Sequence, residues 1–363
     1  MIVERSSFPR SKVCGEYLSP TNFPIFKRLG ILDRFLDLSG PEITRVAGFN
    51  EDVLIEAPMP KGSGLYGRAL RRDVLDVLLL DNAVAQGVKV IQPATVIAAD
   101  LEASGRIRSV VETGSGQIQS LSDLAVAAHG SWMIGKLHSQ QRNASLKASD
   151  LLGFKTHYRG SSLPADLMPM LAFPGGYGGM VTCDDGYVSL SCCIRRDALA
   201  SARQRFSPAT AGESVREYIK HHCRRFADVI SGASEGEWLS AGVIRPGGHF
   251  RYDGTLFAVG NAAGESHPII AEGITMAIRS AVLFAECLIE YRDDESAMIR
   301  EYEHRWRAEF MPRIRFSSVA SRLAMSPAVC AALRPAFRAF PQMLTIGATF
   351  AGKAAVPKRS FAA

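Results

Sequence analysis

The alternation of apolar and polar positions changes character twice along the chain. Met1-Ile2-Val3 followed by Glu4-Arg5 has the form of a buried strand that ends in charge. Between Thr21 and Leu38, Phe26, Leu29, Ile31, Leu32, Phe35 and Leu36 fall broadly on one face, which predicts a helix. From Arg68 to Ala85, Leu70, Val74, Leu75, Leu78 and Leu79 recur at helical spacing, and Gly87 is the expected stop. Val88 to Ile91 reads as a short strand. Thr95 to Leu101 and Arg106 to Val111 read as strands paired around Ser104-Gly105, followed by Gln117 to Ser120. Leu124 to Ala128 is apolar throughout, as in a strand covered on both faces of a parallel sheet.

The middle of the chain alternates instead. Phe154 to Tyr158, Gly179 to Cys183 and Tyr187 to Cys193 predict antiparallel strands with glycine-rich turns, and helices follow at Ala198 to Arg205 and Glu213 to Ile230. Leu256 to Val259 is again an apolar strand, leading to a long helix from about Glu272 to Tyr291. The remainder predicts helix with a break near Pro312. No internal repeat is visible. The order predicts an α/β domain, discontinuous in sequence, enclosing a β-rich insert.

Composition narrows the class. The chain has 363 residues, 47% hydrophobic and 21% charged, which excludes disorder and low complexity. Its longest charge-free run, Leu167 to Cys183, has 17 residues including four glycines and two prolines, short of the roughly 20 apolar residues a spanning helix needs. Seven cysteines without a CxxC point to neither a disulfide framework nor a zinc site, and favour a reducing cytoplasm. Cys192-Cys193 would face opposite sides of a strand, and His221-His222-Cys223 would point apart on a helix, so no metal site is expected. From Met311 onward the chain holds eight cations and no acid, which leaves −2 of its +6 for everything before it. A near-neutral body argues against nucleic acid as a partner.

Three segments carry polar chemistry at element boundaries. Glu4 ends the opening strand, where an acid can accept hydrogen bonds from ribose hydroxyls. Phe8 to Pro20 mixes cations with Gly15 and small polar residues ahead of a helix, and glycine lets backbone approach a phosphate or ring closely. Leu256 to Val259 feeds Gly260-Asn261-Ala262-Ala263-Gly264, then His267-Pro268 and Glu272-Gly273-Ile274. The helix behind that turn offers unpaired backbone N–H groups and partial positive charge to an anion.

Together these segments resemble the para-hydroxybenzoate hydroxylase-like FAD oxidoreductases, nearest the geranylgeranyl reductase and aromatic-ring hydroxylase branches, over about residues 1–291. Glu4-Arg5 matches the end of that family's second strand. Pro9-Arg10 to Gly15 matches its loop beside the flavin, Arg72-Asp73-Val74-Leu75-Asp76 its Arg-x-x-Leu-Asp helix, and Gly260 to Gly264 with Pro268 and Gly273 its ribityl motif. The resemblance implies a Rossmann-like FAD-binding domain (1–42, 67–135 and 251–290), an inserted antiparallel β-sheet substrate domain (43–66 and 136–250) and a helical C-terminal region (291–363). It implies FAD, with NADPH or NADH as electron donor. Carried over by residue, Glu4 and Arg5 would lie at the adenosine ribose, Arg10, Cys14 and Gly15 beside the flavin, and Arg72 near the pyrophosphate and ribityl chain. Val96 would meet the adenine edge through its backbone, Gly260 and Asn261, with Pro268 of the same motif, the ribityl chain, and Gly273 and Ile274 the pyrimidine edge. Tyr177 and Gly178, in Pro174-Gly175-Gly176-Tyr177-Gly178-Gly179, would line the substrate cavity. No catalytic side chain is singled out, consistent with chemistry carried by the cofactor.

Three departures from the family pattern stand out. Asn261 replaces the usual Asp, and Ala128-His129-Gly130-Ser131-Trp132 replaces an Ala-Asp-Gly segment. The family's opening strand and Gly-x-Gly-x-x-Gly turn have no counterpart in this sequence, so a start upstream of Met1 is expected, with a crippled remnant as the alternative. The implied activity is a monooxygenase (hydroxylase) acting on a hydrophobic aromatic, polyketide or quinone-like substrate. The alternatives are a geranylgeranyl-reductase-like reduction of C=C bonds and a non-catalytic remnant that binds a partner or membrane. Residues 311–363 interleave apolar residues with the eight cations. This segment is expected either to cap the substrate domain with a solvated basic face or to rest peripherally on an anionic membrane.

Overall fold

The computed structural model describes residues 1–354 apart from 63, 131–134, 138–139, 141–144, 208–209, 231, 233 and 250. Ser131, Trp132, Lys358 and Arg359 therefore lie outside the described residues. A seven-stranded sheet dominates. Its spatial order is Glu235–Ile244, Leu151–Tyr158, Val188–Arg195, Gly176–Thr182, Leu167–Phe173, Arg45–Asn50 and Val53–Pro58. Neighbours run antiparallel except Leu167–Phe173 beside Arg45–Asn50, which is parallel. The alternation of Phe154-Lys155-Thr156-His157-Tyr158 sends Phe154 and Tyr158 into the larger core, under the helices Arg196–Phe206, Ala211–His222 and Arg224–Val229. Cys192 faces that core and Cys193 the other side, with Tyr177, Leu151 and Ile244, as the strand period requires.

The α/β part holds two parallel pairs. Ile2–Val3 pairs with Val90–Ile91, and Val126–Ala127 with Phe257–Ala258. A meander of Ala94–Leu101, Ile107–Thr113 and Gly116–Ser122 follows the first pair, tied to it by the Ala94 amide donating to the Glu4 carbonyl at 2.8 Å. The helices Arg72–Ala85 and Gly273–Glu290 share a core in which Leu18, Phe26, Leu70, Leu75 and Leu78 meet Ile274 and Ile278.

Several sequence expectations need correction. The helix expected over Thr21 to Leu38 is a 3-10 turn and two short helices, Phe23–Arg28 and Leu32–Leu38, because Gly30 takes φ +71° between them. The Arg72 helix starts four residues later than expected, since Arg68–Ala69 pairs as strand with Tyr17–Leu18. Glu213 to Ile230 breaks at Cys223, whose thiol donates to the Ala172 carbonyl at 3.3 Å. The rings of His221 and His222 meet edge to face at 4.8 Å rather than diverging. Pro312 does not break its helix. Glu295–Ala324 runs straight through it, and the chain turns by 101° only before Pro327–Ala339. Pro312 lies on the exposed side, while Tyr302, Trp306, Phe310 and Ile314 keep a buried stripe across it. That packing outweighs the roughly 3 kcal/mol an interior proline costs.

Candidate functional site

The segments singled out in the sequence meet along one surface. At the end of Ile2–Val3, Glu4 accepts from the Ser6 amide at 2.9 Å and pairs with Arg10 at 3.5 Å. Arg10 reaches Asp76 at 3.6 Å, and Asp76 takes both ends of the Arg72 guanidinium at 2.7 and 2.8 Å. Arg72 also faces the Cys14 thiol. Lys12 sits among these groups. Burial, then the Arg72 and Arg10 charges, push its pKa below the ordinary lysine value. Three cations against two carboxylates make this end of the surface attractive to anions. Arg5 is exposed, and Val96 lies half-buried at the bulge of its strand, opposite Val111.

The same surface continues to the Asn261 loop. Asn22 donates to Thr275 Oγ1 at 2.9 Å, which joins the 3-10 turn Pro20–Asn22, at the end of the Phe8–Pro20 loop, to the first turn of the Gly273 helix, beside Ile274. Gly260 takes φ +59°, and its amide donates to Ser280 Oγ at 2.6 Å. Asn261 Nδ2 donates to Glu265 Oε1 at 3.2 Å, and Glu265 is buried. An aspartate at 261 would set two carboxylates against each other there, whereas asparagine can donate to Glu265. Pro268 is exposed at the start of the turn Pro268–Ile270.

Tyr177 and Gly178 belong to a strand rather than a turn. Tyr177 is 2% exposed, with its hydroxyl 3.3 Å from His267 Nδ1. Burial, then the Arg322 charge, lower the His267 pKa to about 4, so its ring is neutral at pH 7. Burial pushes the neighbouring Cys193 thiol up to about 12 and keeps it protonated. Tyr177 and His267 therefore form a neutral hydrogen-bonded pair beside the Asn261 loop, able to hold or pass one proton.

Two buried ionic groups escaped the sequence analysis. Glu16, at φ +62° beside Gly15, takes the ammonium of Lys155, His157 Nε2 at 2.8 Å and the Arg72 amide at 3.0 Å. Burial alone would raise its pKa, but the His157 hydrogen bond and the Lys155 charge hold it at about 2. Strand alternation gives the signal, since Lys155 and His157 share the face opposite Phe154 and Tyr158. Glu272 is 1% exposed and pairs with Lys353 at 3.1 Å, and the Lys353 Nζ also donates to the Ile270 carbonyl at 2.9 Å. Lys353, expected on a solvated basic face, is thus buried and ties the chain's last described turn to the Asn261 loop.

Between the large sheet and the C-terminal helices lies an apolar cavity of about 560 Å³. Phe49, Met168 and Met170 form its sheet wall, Phe316 and Leu344 its helical wall, and Ile269 and Ile270 its end at the Asn261 loop.

Comparison with known proteins places the fold but no family, and no family model matches the sequence. The chain is 24% identical over 339 residues to conditioned medium factor receptor 1 of Dictyostelium discoideum, covering 85% of this chain and 62% of that protein. It is 26% identical over 344 residues to a menaquinone reductase of Mycolicibacterium smegmatis, covering 90% of this chain and 78% of that protein. Among solved structures, the myxobacterial chondrochloren halogenase CndH, a variant of FAD-dependent halogenases, superposes with a TM-score of 0.74. That match is 19% identical and covers 95% of this chain and 84% of that one. The fold is therefore the mixed α/β fold of flavin-dependent enzymes, Rossmann-like with a large mixed sheet.

Proposed function

We propose that the protein is an FAD-dependent oxidoreductase whose substrate is lipophilic, with a quinone-like or prenyl part. The observation that carries this reading is the apolar cavity ending at Ile269 and Ile270 of the Asn261 loop. The residues present suit a flavin dinucleotide. A Cβ at Gly15 or Gly273 would meet nothing within 4 Å, which leaves open backbone at both walls of the surface. The Tyr17 hydroxyl and Asn22 Oδ1 are buried there without a hydrogen-bond partner among the described residues.

On this reading Glu4 holds the adenosine ribose, with Arg10 and Arg72 at the phosphates and Val96 at the adenine edge through its backbone. Asn261 holds the ribityl chain, and the amides of Gly273 and Ile274 face the pyrimidine edge. FAD, when bound, supplies two-electron transfer. The chain's own part is to bind, to exclude water through the apolar cavity, and to hold a proton at Tyr177 Oη or His267. NADPH or NADH is the proposed donor.

The menaquinone reductase relative and the apolar cavity favour reduction of a C=C bond. Hydroxylation with oxygen is the second reading, supported by a likeness in fold to a probable FAD-dependent monooxygenase from Pseudomonas aeruginosa. Product analysis with reduced cofactor in the presence and absence of oxygen separates them, because turnover without oxygen overturns hydroxylation. A non-catalytic role predicts a colourless protein with no flavin uptake.

Two further points belong to this reading. Among the described residues, Ile2–Val3 and Val126–Ala127 each pair on one edge only. A strand and glycine turn encoded upstream of Met1 would join them and supply the phosphate cradle, and an upstream frame without that pattern overturns this. Val319, Leu323, Ile346 and Phe350 line the cavity yet are 41–67% exposed, with Arg322 on the helix of Val319 and Leu323 and Arg338 on the neighbouring helix Pro327–Ala339. Among the described residues no single helix is long and apolar enough to cross a membrane. The exposed rim suits peripheral contact with an anionic bilayer from which a greasy substrate enters. Co-sedimentation with anionic vesicles tests it, and equal partitioning of a Phe350→Ser/Ile346→Ser variant overturns it.

A further inference from the structure

We propose that a cationic cleft behind the Asn261 loop docks the pyrophosphate of a nicotinamide dinucleotide. This inference deepens the reading above and rests on it. The cleft, of about 590 Å³, lies between Gly247–Gly248 and one face of the helix Glu295–Ala324. His304, Arg307, Ala308, Met311 and Arg315 follow at three- and four-residue steps, so they form one stripe along that helix. His249 and Arg251 stand opposite, and no acidic residue lines the space.

Arg251 is the built part of the site. It is 8% exposed, with its guanidinium 5.0 Å from the Trp306 ring centre. One Nη donates to Glu303 at 2.8 Å and the other to the His249 carbonyl, while Nε is buried with no hydrogen-bond partner among the described residues. Glu303 also serves Arg307 at 2.7 Å, so one carboxylate is shared by two guanidinium groups. Arg315 is exposed and forms no ion pair among the described residues. Three guanidinium groups against one carboxylate leave the cleft positive, and an anion that accepts from them completes the arrangement.

Size and position identify the anion's class. The volume falls in the range of sites for whole cofactors and exceeds what one inorganic ion needs. Ala308 and Met311 add apolar floor for a ribose or ring. The cleft wall is hydrogen-bonded to the loop proposed to hold the flavin. Gly247 and Gly248 pair with Glu265 and Gly264, and the His249 amide donates to the Ala263 carbonyl at 2.8 Å. The cleft shares no lining residue with the lipophilic cavity, so a dinucleotide anchored here by its phosphates does not compete with the substrate for one entrance.

The test titrates ADP-ribose and NADPH into the full-length protein with FAD in excess, which fills the adenosine site at Glu4. Arg307→Gln/Arg315→Gln changes two solvent-facing residues and leaves Arg251 and its packing intact. The expected result is binding that weakens roughly ten-fold or more in the double variant, with flavin content unchanged. Equal affinity in both proteins, or no binding of ADP-ribose by the wild type, overturns the proposal. Arg307- and Arg315-dependent binding of phosphatidylglycerol vesicles without ADP-ribose binding also overturns it. Arginine-dependent ADP-ribose binding by a protein that takes up no flavin keeps the cleft and rejects the flavin reading. A flavoprotein reduced equally well in both variants rejects the cleft and keeps that reading.

Discussion

Replacing Lys353 by Met tests how the C-terminal segment is held to the Asn261 loop. The side chains of Lys353 and Glu272 are 5% and 0% exposed and lie 3.1 Å apart. At an effective dielectric of 20 that separation corresponds to about 5 kcal/mol of attraction, most of which offsets desolvation of the two charges. Lys353→Met leaves the Glu272 carboxylate buried, with Oε2 already lacking a hydrogen-bond partner among the described residues. The Ile270 carbonyl loses its donor as well. The expected loss is about 3–5 kcal/mol in urea unfolding. Glu272→Gln in the same chain removes the stranded charge and recovers at least half of it. The pH dependence has a defined sign. Burial lowers the Lys353 pKa below the ordinary 10.5, only partly offset by Glu272. The folded protein then binds fewer protons than the unfolded chain above that lowered value, so this group makes wild-type stability rise with pH up to about 10.5. Lys353→Met removes that rise. A loss below about 1 kcal/mol, or a double variant no more stable than Lys353→Met alone, refutes the ionic clamp.

Other expectations follow from the same geometry. The Glu16 carboxyl, held at about 2 against an ordinary 4.5, contributes about 3 kcal/mol that is present above pH 4.5 and lost as pH falls toward 2. Acid unfolding of Glu16→Gln should show that step removed, together with lower stability at pH 7 from the stranded Lys155; an unchanged acid profile contradicts the assignment. Asn261→Asp, although aspartate is usual in the family the sequence resembles, should weaken FAD retention because it faces Glu265, and Asn261→Asp/Glu265→Gln should restore it, as read by flavin released on denaturation. Gly347 lines the cavity on the helix Gln342–Ala351, and a Cβ there meets nothing within 4 Å. Gly347→Leu should stabilise that helix by roughly 0.5–1 kcal/mol while raising KM for a lipophilic substrate, and an unchanged KM argues against the cavity as its site.

The elements legible in the sequence were those with one strong period. The Arg72 and Gly273 helices and the meander after Ala94 sit close to where periodicity predicts them. Arg45–Asn50, Val53–Pro58, Leu167–Phe173 and Glu235–Ile244 were not foreseen. Leu167–Phe173 is apolar on both faces and carries Pro169, while Glu235–Ile244, at the sheet edge, mixes Glu235, Glu237, Ser240 and two glycines with five apolar residues, so neither shows a clean alternation. Pro312 misled because the buried stripe around it is a tertiary fact. The polar loops at Glu4, Gly15 and Asn261 were found because boundary residues advertise themselves. Glu16, Glu272 and Lys353 were missed because a buried charge looks like a surface one until its partner, 81 residues away for Lys353, is in place.

The most direct measurement compares FAD with FMN, which lacks the adenosine end, by flavin fluorescence titration of wild type, Glu4→Gln and Asn261→Ala. If one dinucleotide spans the surface, Glu4→Gln weakens FAD binding and leaves FMN unaffected, whereas Asn261→Ala weakens both. FAD affinity that neither substitution changes contradicts the account.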